Sequence, residues 1–122
     1  MKLLVCGTQV KWAGYKSFVE NTLIGYKLPL TIIEGECPDS ADVYARDFAK
    51  EFHQEYIPFP AKPTTKGKMN YLSRNIEMVE ACDEVLAFYD GWSYGTAQAI
   101  ANAVMRGKPV KVVALPKVRK NA

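Results

Sequence analysis

The sequence predicts an α/β fold: a single Rossmann-like three-layer domain on a five-stranded parallel sheet, with strand order 3-2-1-4-5 expected. Three observations carry this. Short apolar runs alternate with segments of helical spacing along the whole chain. One of those runs, Val85 to Tyr89, is almost continuously apolar, as in a strand covered on both faces. Two strand-to-helix turns, Gly7-Thr8-Gln9 and Asp90 to Thr96, are rich in glycine and small polar residues.

Lys2 to Cys6 is the first strand and ends in Gly7-Thr8-Gln9. A helix is predicted from about Tyr15 to Ile24, with Phe18, Val19, Thr22 and Leu23 inward. Pro29 to Ile33 is the second strand, and Glu34 to Pro38 its exit loop. Asp39 or Ser40 caps a helix whose apolar face is Ala41, Ala45, Phe48, Ala49 and Phe52. Glu55 to Phe59 is a short third strand. Pro60 to Lys68, rich in proline, threonine and lysine, lacks periodicity, and such long loops in compact domains tend to be functional.

Met69, Leu72, Ile76 and Val79 mark the next helix at 3-4-3 spacing. The run Val85 to Tyr89 follows, broken by Asp90-Gly91. A helix then starts at Gly95 or Thr96, with Ala97, Ile100, Ala101 and Val104 as its apolar face. Gly107 ends it, and Pro109 to Leu115 is the last strand. No repeat or internal boundary breaks the pattern. Residues 1–116 read as one domain and residues 117–122 as a basic tail.

Composition bounds the function. Among 122 residues, 48% hydrophobic and 24% charged describe an ordinary globular domain. Sixteen Lys and Arg against thirteen Asp and Glu give +3, short of the basic patch a dedicated nucleic-acid binder shows, so no nucleic-acid partner is expected. No apolar run reaches the length of a membrane span, and Met1 to Val5 runs straight into a strand, so neither anchor nor signal peptide is predicted. Three cysteines without close spacing favour neither disulfides nor zinc. Cys6 and Cys82 read as core residues, Cys37 as a loop residue, and the single histidine, His53, as surface. The expectation is a cytoplasmic protein without metal or cofactor.

In the order 3-2-1-4-5 the winding reverses between the first and fourth strands, and a crevice opens at their carboxyl ends. Gly7-Thr8-Gln9 and the turn through Gly91, Trp92, Ser93, Gly95 and Thr96 would line it side by side. Free N–H groups and the positive end of a helix dipole make such turns bind anions, which points to a phosphorylated ligand. Neither turn is a G-x-G-x-x-G fingerprint or a lysine-bearing P-loop, so an ordinary dinucleotide dehydrogenase or ATPase is not expected. Trp12 and Trp92, on the two crevice loops, are candidates to stack on a base or ribose, or to serve in packing.

Ser73-Arg74-Asn75-Ile76-Glu77-Met78 followed by Gly91-Trp92-Ser93-Tyr94-Gly95-Thr96 resembles the paired motifs of the SLOG superfamily, which includes the LOG phosphoribohydrolases. Val5-Cys6-Gly7-Thr8-Gln9-Val10-Lys11-Trp12, Glu34 to Asp42, Phe59-Pro60-Ala61 and Arg74 to Met78 resemble in series its small YspA/YpsA-related branch, over about residues 3 to 113. The resemblance implies a nucleotide site at Gly7, Thr8, Gln9, Trp12, Gly35, Asp42, Arg74, Asn75, Gly91, Trp92, Ser93, Gly95 and Thr96. In it Arg74 faces a phosphate, Asp42 a ribose hydroxyl, and the protein forms homo-oligomers. The glutamate that LOG hydrolysis uses, three residues after the Gly-Thr pair, is here Ala99. The chain therefore reads as a binder of a nucleotide-derived small molecule, of an ADP-ribose or cyclic-nucleotide type, that senses or sequesters it. The alternative is an N-glycosidase with a displaced carboxylate, for which Glu36, Asp42 and Asp90 are candidates. An assembly module with a vestigial pocket is a third.

Overall fold

The computed structural model describes residues 1–116; the predicted basic tail, 117–122, lies outside the described residues. The elements alternate as β1 (Lys2–Gly7), α1 (Tyr15–Ile24), β2 (Thr31–Glu34), α2 (Ala41–Glu51), β3 (Glu55–Pro58), α3 (Tyr71–Ala81), β4 (Glu84–Tyr89), α4 (Tyr94–Met105) and β5 (Val110–Ala114). All strands pair in parallel in the order β3-β2-β1-β4-β5, as expected. Among the described residues no helix is long and apolar enough to cross a membrane.

The sheet divides the core in two because its side chains alternate. Leu3, Val5, Ile32, Leu86 and Phe88 pack on one face with Tyr15, Val19 and Leu23 of α1 and Ala41, Ala45 and Phe48 of α2. Leu4, Cys6, Ile33, Val85 and Ala87 pack on the other with Met78 and Val79 of α3 and Ala99 and Ala103 of α4. Three inward faces differ from the sequence reading. Phe52 follows α2 and is exposed. On α4 the buried face is Thr96, Ala99 and Ala103, while Val104 is exposed. On α3 it is Arg74, Asn75, Met78 and Val79, leaving Leu72 exposed. Both rotations have one cause: where a helix begins over the crevice, its inward residues meet a polar cleft rather than the core.

The central pair is β1 with β4, in register from Leu3↔Glu84 to Gly7↔Phe88. Beyond the ladder, Thr8 N–H donates to Phe88 O at 2.9 Å. A Cβ on Gly7 would come within 2.6 Å of the Tyr15 hydroxyl, 3.0 Å of Ala41 Cβ and 3.1 Å of Phe88 Cβ. That hydroxyl is fully buried and donates to Thr8 O at 2.8 Å, so it has nowhere to go.

Gly7→Ala should therefore cost about 1–3 kcal/mol in chemical denaturation, as overpacking of a tight core does. Gly95→Ala, whose Cβ meets nothing within 4 Å, should leave stability unchanged or raise it by up to about 1 kcal/mol. Equal stabilities for the two variants would contradict the close β1–α1 packing.

Candidate functional site

The crevice opens where the sheet's winding reverses, and two cavities that meet form it. The inner one, about 280 Å³, is lined by Gly7, Thr8, Gln9, Asp42, Arg74, Asn75, Ser93, Gly95 and Thr96, together with Cys6, Cys37, Met78 and Ala99. The outer one, about 460 Å³, adds Gly35, Glu36 and Pro38 from the β2 exit, Pro60 and Ala61, and Met69 and Tyr71 at the start of α3. Of the thirteen residues named for the site from sequence, Trp12, Gly91 and Trp92 lie outside both linings. Trp12 packs against Tyr15 and Phe18, at ring-centroid distances of 5.9 and 5.7 Å. Trp92 is 89% exposed.

The crevice walls are held by side chains of opposite charge. Arg74 is buried, and its Nη1 donates to Gly35 O at 2.6 Å and Phe59 O at 3.1 Å. Its Nε donates to Asn75 Oδ1 at 3.0 Å, and Nη2 lies 3.7 Å from Cys37 Sγ. The guanidinium thus ties α3 to the exits of β2 and β3. A Cβ at residue 35 would sit 2.6 Å from Nη1, which is why glycine stands there.

Asp42 is buried rather than the surface acid that its position one turn into a helix would give by itself. Its Oδ2 accepts Gly35 N–H at 3.0 Å and Cys37 N–H at 3.3 Å. Burial pushes its carboxyl up, opposed by those N–H groups and by the positive charge of Arg74. Glu34, fully buried at the end of β2, accepts Glu36 N–H on Oε2, while Oε1 finds no partner among the described residues. Burial raises its pKa from 4.5 to about 7, against the lowering effect of Glu36 N–H. Two carboxylates therefore consume three consecutive N–H groups, at Gly35, Glu36 and Cys37. That turn has no donor left for an anion.

Sequence reasoning missed Glu34 as anything but a loop residue. The readable signal was a carboxylate at the carboxyl end of a buried parallel strand. It also missed the outer wall of Pro38, Pro60, Met69 and Tyr71.

At the other turn, Asp90 Oδ1 accepts Trp92 and Ser93 N–H, each at 2.8 Å. Slight burial raises its pKa, but those N–H groups and the Ser93 and Thr8 hydroxyls outweigh this and hold it below the usual carboxylate range. Ser93 Oγ and Thr8 Oγ1 are 2.8 Å apart, and Asp90 N–H donates to Thr8 Oγ1 at 3.2 Å, so the two glycine turns are tied together. Ser93 precedes α4 without a side-chain capping bond. Ala97 N–H closes on Ser93 O, and the Gly95 and Thr96 N–H groups find no acceptor among the described residues. They are first-turn donors at the positive end of a helix, on the lining of the inner cavity. Ala99 also lines that cavity, with a methyl group and no carboxylate. No group of three or more His, Cys, Asp or Glu among the described residues is arranged to hold a metal.

No protein-family model and no curated protein matches the sequence. The fold is similar to the crystal structure of DNA processing protein A (DprA) from Streptococcus pneumoniae, with a TM-score of 0.75 and 17% identity. The match covers 98% of this chain and 52% of that one, so the chain spans about half the length of its structural neighbour. The fold is Rossmann-like.

Two outcomes test this site. Arg74→Ala should destabilise by about 2–4 kcal/mol, because it orphans buried carbonyls and removes the positive charge near buried Asp42, and Arg74→Lys should recover part of that. A raised pKa in Glu34 means the folded state holds its proton more tightly, so the wild type should lose stability as pH rises from about 4.5 to about 7. Glu34→Gln should flatten the denaturation midpoint across that window; an unchanged slope would contradict the assignment.

Proposed function

We propose that the protein binds a phosphorylated, nucleotide-derived small molecule in this crevice, as a SLOG-type binder that senses or sequesters it. The observation that carries the reading is the pair of N–H groups at Gly95 and Thr96 that find no acceptor among the described residues, at the start of α4 and on a concave lining. A phosphate there meets aligned donors and a positive helix end without displacing any bond of the chain. Arg74 adds one donor, Nη2, whose partner in the chain is a sulfur at 3.7 Å. Asp42, held by backbone N–H groups on one oxygen, suits a ribose hydroxyl with the other.

Likeness to a DNA processing protein brings in a polynucleotide as a rival ligand. A net charge of +3 and a cavity of about 280 Å³ favour the small molecule. A second reading, N-glycoside hydrolysis, is favoured by Asp42 alone: it is a buried carboxylate on the cavity wall whose pKa is raised, as a general acid or base requires. Glu36 lines only the outer cavity, and Asp90 is committed to its own turn.

Gly95→Val is the direct test. Gly95 is exposed and its Cβ would meet nothing, so the fold should survive while the added side chain covers the phosphate position. Nucleoside monophosphates and ADP-ribose, retained by the wild type on equilibrium dialysis, should be lost from this variant. Normal binding by Gly95→Val places the anion site elsewhere. Chromatography of the ligand after denaturation separates the readings: intact nucleotide supports binding, while free base that disappears in Asp42→Asn supports hydrolysis.

A further inference from the structure

The phosphate end leaves the rest of the ligand unplaced, and the outer cavity has the chemistry to take it. We propose that a planar, base-like group lies in the outer cavity against Tyr71, Met69 and Pro60, and that Tyr71 sets the preference for it. The inference rests on the phosphate reading above and extends it to the class of ligand.

The two cavities share Gln9, Cys37, Arg74, Asn75 and Gly95, so one ligand can run from the start of α4 outward. Their walls differ in kind. The hydroxyls of Thr8, Ser93 and Thr96 and the Asp42 carboxyl occur only on the inner lining, beside Cys6, Met78 and Ala99, whereas two prolines, Ala61, Met69 and Tyr71 occur only on the outer. The inner volume of about 280 Å³ falls just below the usual range for small-molecule sites, about 300–1,000 Å³, and the outer 460 Å³ falls within it. The inner space suits a phosphate and sugar; a further group must go outward.

Tyr71 is 54% and Met69 43% exposed, with the Tyr71 ring and the Met69 backbone both held. The Arg74 guanidinium lies 5.5 Å from the Tyr71 ring centroid and braces it. Met69 is bridged to Pro63, and Asn70 N–H donates to Lys62 O at 2.8 Å, so the loop from residue 62 to 70 fixes this wall. Apolar groups held in place around a hollow, without being buried, gain most from a flat apolar partner. Gln9 donates its amide NH2 to Pro38 O at 2.9 Å, which leaves its carbonyl oxygen to accept from the edge of a base. The tryptophans of the crevice loops do not compete for this role, since both lie outside the lining.

The test compares AMP, GMP, CMP and UMP with ribose 5-phosphate, which has the phosphate and sugar but no base, by calorimetry. The wild type should bind at least one of the four about tenfold more tightly than ribose 5-phosphate. Tyr71→Ala should lower that affinity about tenfold and leave ribose 5-phosphate unchanged, and Tyr71→Phe should restore it. Thermal melting checks that the variants keep the fold. An unchanged nucleotide affinity in Tyr71→Ala, or an equal loss for ribose 5-phosphate, overturns the placement of the base while the phosphate site stands. No binding of any of the five by the wild type overturns the phosphate reading and this inference with it.

Discussion

The position of β1 between β2 and β4 is the constraint on which the rest depends. It reverses the winding of the sheet, sets the first and fourth strand exits side by side, and opens the only direction in which a crevice can form there. Because β1 is covered on both faces, Leu3 to Cys6 are all buried, and its exit has little freedom to move. Gly7 and the Tyr15 hydroxyl finish this arrangement. The missing side chain lets α1 approach, and the hydroxyl bonds the first carbonyl beyond the strand.

Around that exit the chain spends its charges on its own backbone. Glu34 and Asp42 take the N–H groups of one loop, Arg74 takes two carbonyls, and Asp90 takes the N–H groups of the opposite turn. The bonds of Arg74 and Asp90 are charge-assisted, stronger than neutral ones, and together with those of Glu34 and Asp42 they set loop geometry before any ligand arrives. The consequence for function is selective. The donors of the β2 exit are already satisfied, whereas the Gly95 and Thr96 N–H groups at the start of α4 have no acceptor among the described residues.

Much of this was legible in the sequence. Strand order and the switch point follow from apolar runs and glycine turns, and ten of the thirteen residues named from sequence lie on the walls of the two cavities. What was not legible has a common origin. Helical periodicity assigns the apolar stripe to the core, but α3 and α4 begin over a polar cleft, so Arg74, Asn75 and Thr96 are buried where Leu72 and Val104 are not. Residue type also hides the difference between a charge that faces solvent and one that holds a loop. Glu34 and Asp42 show it only through their backbone partners, which lie two to seven residues away in sequence but across the β2 exit in space. For the tryptophans residue type left two readings open, packing or stacking on a ligand; Trp12 packs against the core, and Trp92 is exposed outside both cavity linings.

The central claim is that the first turn of α4 receives a phosphate. Amide chemical-shift mapping during titration with a nucleoside monophosphate tests it most directly. The account predicts that the largest changes fall on the Gly95 and Thr96 amides, with smaller ones at Thr8. The amides of Gly35, Glu36 and Cys37, already bonded to carboxylates, should change less. Saturable shifts centred on those three residues, with Gly95 and Thr96 unmoved, would contradict it.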